Sequence, residues 1–132
     1  MPRKTLRPPN LTFQPRPSYP YSPGAEAAGW IFTAGQVGWN AAGNLVGIGD
    51  VAAQTRQTLS NVKSVIEEAG ATLDDVLKCT VYLADIRHFD QMNKVFAEFF
   101  PNDPPARTTV CARLAEAEML VEVEAIAFKA GA

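Results

Sequence analysis

At 132 residues, with 47% hydrophobic and 20% charged side chains, the chain has the size of one domain, able to bury about two thirds of its unfolded surface in a single core. No apolar run approaches the roughly 18 residues of a membrane span. The net charge of −2 conceals an asymmetry: without Arg3, Lys4, Arg7 and Arg16 at the amino end, 8 Lys and Arg remain against 14 Asp and Glu, a body of −6. That sign is wrong for a nucleic-acid groove, so neither a nucleic-acid nor a membrane partner is expected. The basic amino end lacks the apolar segment of a secretory signal, and the cytoplasm is the expected location. Cys79 and Cys111 lack CxxC spacing and read as buried free thiols, and with His88 as the single histidine no metal site is expected.

Seven of the ten prolines fall within residues 1–23, which rules out a helix and leaves an extended arm or an edge strand. We read residues 1–18 as a Pro-rich basic arm and 19–132 as the folded domain. Tyr21, between Pro20 and Pro23, has little backbone freedom; either its hydroxyl is fixed for a purpose or its ring packs beneath a turn. Trp30–Val37 reads as a strand with large apolar residues on both faces, followed by the Gly- and Asn-rich loop Gly38–Gly49. Asp50 caps a helix to about Ala69, with Ala52, Thr55, Leu59, Val62, Ile66 and Ala69 as its buried stripe and Gly70 as its stop. Gly47, Gly49 and Ala52 match a dinucleotide fingerprint only weakly, because no strand fits in front of them. Leu77–Ala84 alternates as a strand. Asp85 then caps a second helix that buries Ile86, Phe89, Met92, Phe96 and Phe99 and stops at Pro101. His88, in its first turn, reads as a surface or packing residue, and Asn93 borders the apolar stripe.

The last stretch concentrates the candidate chemistry. Arg107–Leu114 and Met119–Phe128 read as a hairpin joined by Ala115–Glu118. Period-2 alternation puts Met119, Val121, Val123, Ala125 and Ala127 on one face and Leu120, Glu122, Glu124, Ile126 and Phe128 on the other. A solvated face would not carry Leu, Ile and Phe beside two acids, so at least one Glu is expected to be partly buried and to need a partner. The facing strand offers Arg107, with Thr109, Cys111 and Arg113 on its face. Spacing alone favours an Arg–Glu ion pair that closes the sheet over a binding site, because structural pairs outnumber catalytic ones. The order is β-β-α-β-α-β-β, an α+β fold with a single mixed sheet and two helices on one face. The other face keeps apolar residues uncovered, which predicts self-association.

Three stretches together, Ala34-Gly35-Gln36, Pro105-Ala106-Arg107-Thr108-Thr109-Val110 and Val121-Glu122-Val123-Glu124-Ala125-Ile126-Ala127, resemble the Rid family of reactive-intermediate deaminases, also known as the YjgF or endoribonuclease L-PSP family. Gln54-Thr55-Arg56-Gln57, Asn61-Val62-Lys63, Asn93 and Glu98-Phe99-Phe100 follow that family's helix patterns, so the similarity spans about residues 19–129. The resemblance implies a chorismate-mutase-like fold and a homotrimer with sites in the clefts between subunits. It also implies cofactor-free hydrolysis of 2-imino or enamino acids, of the 2-iminobutanoate and 2-iminopropanoate type, to ammonia and a 2-oxo acid. In that reading Arg107 anchors the substrate carboxylate and Glu122 positions water. Tyr21, Gly35 and Asn93 line the cleft, Gly35 allowing close approach to the substrate, and Thr109 takes a position that is sometimes cysteine. Flanking apolar residues would raise the pKa of Glu122 and a nearby Arg107 would lower it, and the sequence leaves the sign open. Departures from the family pattern at Pro23, Trp39, Phe96 and Ala115 surround the expected cleft. They keep open an aminomuconate- or aminoacrylate-type substrate, or a metabolite bound without turnover.

Overall fold

The structure, a computed structural model, describes residues 2–11 and 15–131; residues 1 and 12–14 of the expected arm lie outside them. Its elements in chain order are β1 (Lys4–Leu6), β2 (Gly24–Ala27), β3 (Trp30–Thr33), α1 (Val51–Glu68), β4 (Val76–Leu83), α2 (Phe89–Phe99), β5 (Ala106–Cys111) and β6 (Val121–Phe128). They build one six-stranded mixed sheet in the order β1-β2-β3-β6-β4-β5. Neighbours are antiparallel except β4 and β5. Of the two options for the Pro-rich end, the edge strand is found: β1 pairs with β2, and Leu6 and Leu11 are buried in the core. No described helix is long and apolar enough to cross a membrane.

The expected hairpin does not form. β6 inserts between β3 and β4, and β5 lies on the far side of β4. The connection steps over the end of β4, where Ala112 N donates to Leu83 O and Ala84 N donates to Leu120 O, both at 3.0 Å. The alternation itself is as read: Val121, Val123, Ala125 and Ala127 are buried on the helix side, while Glu122, Glu124 and Ile126 are half-buried on the open side. A strand that carries bulky groups on both faces gains most with partners on both edges, and β6 takes the centre of the sheet.

Helix α1 follows the sequence closely. Asp50 accepts from Ala53 N at 3.1 Å, Thr55, Leu59, Val62 and Ile66 are buried, and Gly70 takes the left-handed conformation that ends the helix (φ 82°). The second helix starts late. Asp85 caps a single 3₁₀ turn, Ile86–His88, before α2 begins. The tighter pitch of that turn throws Ile86 out of the buried stripe, where it is 63% exposed. Both cysteines are free, but Cys111 is exposed rather than buried.

Two buried amides on α1 fix the loops that surround the open face. Asn61 Nδ2 donates to Val37 O (3.0 Å) and Trp39 O (2.8 Å). Gln54 accepts from Leu120 N at 2.8 Å and donates to Glu118 O (2.9 Å) and Gly47 O (3.2 Å). Replacing Gln54 by Leu strands these groups without water, so Gln54→Leu should lose about 2–4 kcal/mol in urea unfolding. Thr58 gives the contrast: its buried Oγ1 has no partner among the described residues, so Thr58→Val should be neutral or stabilising in the same measurement.

Candidate active site

The open side of β6 is shaped by a break in β3. Pairing runs to Phe32↔Ile126 and resumes at Gln36↔Val123, so Thr33, Ala34 and Gly35 face only Glu124 and Ala125. This is a one-residue bulge. Gln36 closes it with reciprocal backbone bonds to Val123 of 2.8 and 3.0 Å. Gly35 sits in the bulge with the Glu122 carboxylate directly against it; a Cβ there would run into the carboxylate, with Cδ at 2.8 Å. The close approach that Gly35 permits is therefore that of Glu122 itself.

Burial raises the pKa of Glu122 above the usual carboxylate range, and the like charge of Glu124 adds to the effect. Within one chain, desolvation sets the sign that the sequence left open. Among the described residues no group donates to this carboxylate and no cation pairs with it. Glu124 differs in being held by Tyr82, whose hydroxyl donates to it at 2.7 Å. Tyr21 is also raised, first by burial, then by the charge of Glu122 and by Tyr19. It keeps its proton and remains a donor beside the acid. Tyr21, Gly35 and Glu122 share a groove of about 540 Å³ with Arg16 and Trp39. The Arg16 guanidinium lies 4.4 Å from the Trp39 ring centroid.

Arg107 is elsewhere. It pairs in register with Cys79, and Cys79 with Ala125, both buried on the helix side. Glu122 is three residues from Ala125, an odd number, and so points to the opposite face. No Arg107–Glu122 ion pair can form within one chain. Arg107 instead lies beneath α2, 4.8 Å from the ring centroid of Phe96 and 5.7 Å from that of Phe89, with Nη1 3.8 Å from Met92 Sδ. Burial lowers its pKa, the neighbouring Cys79 acting in the other direction, and a guanidinium so placed is still charged at any working pH. The same burial pushes the Cys79 thiol up to about 12 against the opposing charge of Arg107. Thr109 shares the face of Arg107. Asn93 follows Met92 on α2, and its buried Oδ1 has no partner among the described residues.

The six expected residues thus fall into two groups, Tyr21, Gly35 and Glu122 on the open face, and Asn93 on α2 with Arg107 and Thr109 on the helix side of β5. Sequence reasoning missed Arg16, although prolines on both sides of it restrict its backbone. Among the described residues no His, Cys, Asp and Glu side chains are grouped to hold a metal ion. The contact between Gly35 and Glu122 is open to a double-mutant cycle. Gly35→Ala should lower the unfolding midpoint, and in the Glu122→Ala background the same change should cost about 1–2 kcal/mol less. Strict additivity would mean that the carboxylate does not rest on Gly35.

A family model described as endoribonuclease L-PSP matches residues 12–129. A RutC family protein of Pyrococcus horikoshii is 43% identical over 115 residues, 87% of this chain and 91% of the relative. Among solved structures, the YjgF gene product of E. coli is 35% identical with a TM-score of 0.86, over 96% of this chain and 98% of that one. E. coli TdcF, solved with bound serine, is 29% identical with a TM-score of 0.86, over 96% and 99% of the two chains. Matched along most of its length in both sequence and fold, the chain belongs to the Rid family, the YjgF or endoribonuclease L-PSP family.

Proposed function

We propose that this protein is a hydrolytic deaminase of 2-imino and enamino acids, acting in clefts between the copies of a homotrimer and releasing ammonia and a 2-oxo acid. The observation that carries the reading is the pair of unpartnered charges on opposite faces of one chain. Among the described residues, Arg107 is partly desolvated with no acid within ion-pair range, and Glu122 is half-buried with no cation. A second copy that meets the open face along its edge strand β5 would bring its Arg107 to this copy's Glu122. Trp30 and Phe32, 45% and 49% exposed, together with Val110 and Phe128, give that face apolar surface to bury. TdcF, a relative, holds serine, a ligand with the α-carboxylate that Arg107 would engage.

In this reading the Arg107 fork takes both carboxylate oxygens of the substrate. Glu122 in its ionised form accepts a proton from water as the water oxygen attacks the C=N carbon and the π pair moves to nitrogen. It then returns the proton to nitrogen, giving a carbinolamine. The hydroxyl proton follows the same route as the C–N bond breaks, leaving a 2-oxo acid and ammonia. Tyr21, protonated beside Glu122, donates to an oxygen or nitrogen of the reacting centre. A 2-imino acid is electrophilic on its own, so orientation and proton transfer supply the few kcal/mol required.

The first test is hydrolysis of freshly generated 2-iminopropanoate. Wild type should accelerate imine loss and ammonia release, Arg107→Ala should lose the acceleration through its KM and rate together, and Glu122→Gln should keep carboxylate binding but lose turnover. Wild type at the uncatalysed rate would end the deaminase reading. Mixing the two inactive variants should restore about a quarter of the activity, since one cleft in four would join an intact Arg107 to an intact Glu122. No recovery after the two variants are unfolded and refolded together would mean that Arg107 and Glu122 do not meet across an interface. On the acid side, kcat/KM should fall as Glu122 takes up its proton, at a midpoint set by burial and the charge of Glu124, which raise it, against the guanidinium that the second copy brings, which lowers it. Glu124→Gln deletes the like charge and should move that midpoint down; a midpoint that stays put would assign the limb to another group.

A further inference from the structure

We propose that the basic amino end builds a second anion subsite beside the Glu122 groove, selecting imino acids whose side chain ends in a carboxylate or a phosphate. The inference rests on the reading above, in which the Glu122 groove holds the reacting centre. A further groove of about 660 Å³ opens on the same face of the sheet and is lined by Arg3, Arg7 and Arg16, with no acid among the described residues that line it. The chain has 14 acids against 12 bases, so a lining of one sign is a segregation of charge rather than an average surface.

The placement follows from strand geometry. Arg3, Thr5 and Arg7 alternate along β1 and its flanks, and Leu6, between them, is buried. Thr5 pairs with Ala25, Ala25 with Phe32 and Phe32 with Ile126, so this row lies on the face that also carries Glu122. Two of the three guanidiniums are restrained. Arg7 Nη2 donates to Ser22 Oγ at 3.1 Å, and Arg16 is stacked on Trp39. The two grooves share Pro15, Arg16, Tyr19, Tyr21 and Ala34, so a single ligand can run from Glu122 past Tyr21 to the arginines. Planar forks flanked by hydroxyl donors suit a compact oxyanion. A long polyanion would have to continue over a body of net negative charge, which favours a small ligand over RNA.

The test compares binding of 2-oxoglutarate, 2-oxopentanoate and 2-oxo-3-phosphooxypropanoate to the whole protein by calorimetry. The first pair has equal chain length and differs in the distal carboxylate, and the third ligand carries a phosphate. At least one anionic-tail acid should bind about tenfold or more tightly than 2-oxopentanoate, and which one does so separates carboxylate from phosphate. In Arg7→Gln/Arg16→Gln the ratio should fall to about one; should that variant fail to fold, Arg3→Gln, a side chain with no bonded partner among the described residues, should lower the same ratio. Equal or undetectable binding in wild type overturns the subsite, as does a preference that survives the double variant, or a single-stranded RNA oligomer that displaces the acids at lower concentration. Imines prepared from the same acids keep the two readings apart. Hydrolysis of 2-iminopentanoate without an anionic preference removes the subsite alone, and preferential binding without hydrolysis of any imine removes the deaminase.

Discussion

The rest of the structure depends on the hydrogen bonding of β6 on both of its edges, with β3 on one side and β4 on the other. Held in that way, β6 cannot slip by one residue without turning every side chain to the wrong face. On the helix side this would replace Val121, Val123, Ala125 and Ala127 by acids and larger apolar groups beneath α1. The two alanines matter there, because they admit the helix closely enough for Leu59, Val62 and Ile66 to fill the core. The same register fixes Glu122 and Glu124 on the open side, so the packing of the core and the aim of the acids are one choice.

That choice has a cost on the open side. Glu122 loses water, gains the charge of Glu124, and receives no hydrogen bond from a described residue. Its pKa in the folded chain lies above its unfolded value, so the folded state holds the proton more tightly. The stability associated with that proton is present at low pH and is lost as pH rises through the folded pKa. Near neutrality the ionised carboxylate therefore works against folding. The bulge at Gly35 and the unpartnered Asn93 Oδ1 are of the same kind, local departures from good packing gathered around the residues assigned to chemistry.

Alternation made some of this legible and hid the rest. It separated the two faces of Met119–Phe128 correctly, because the face of a residue depends only on its own strand. It could not name the neighbour across the edge, and Arg107–Leu114 was joined to the wrong strand for that reason. With β4 in between, the parity of Arg107 against Glu122 reversed, and a pair expected to meet in one chain was divided. The α1 boundaries were readable because Asp50 and Gly70 carry local signals, whereas the bulge at Ala34-Gly35 looks like continuous strand. The resemblance points to six residues but does not arrange them. Arg16 is not visible in the sequence as a site residue because its partner, Trp39, lies far along the chain.

On the proposed function, division of the site between faces has a consequence for specificity. Arg107 and Glu122 fix the carboxylate and the reacting carbon, and both belong to the shared pattern. The substrate's side chain must then extend away from them along the open face. What lies in that direction is Tyr19, Tyr21, Trp39 and a folded-back basic end whose Leu6 and Leu11 are tied into the core. The described stretch from β1 to Leu11, anchored by two buried leucines, is a fixed wall rather than a loose tail. Arginines on its inner side lose little freedom when they meet an anion, which is the condition under which surface charge contributes to selectivity and not only to solubility.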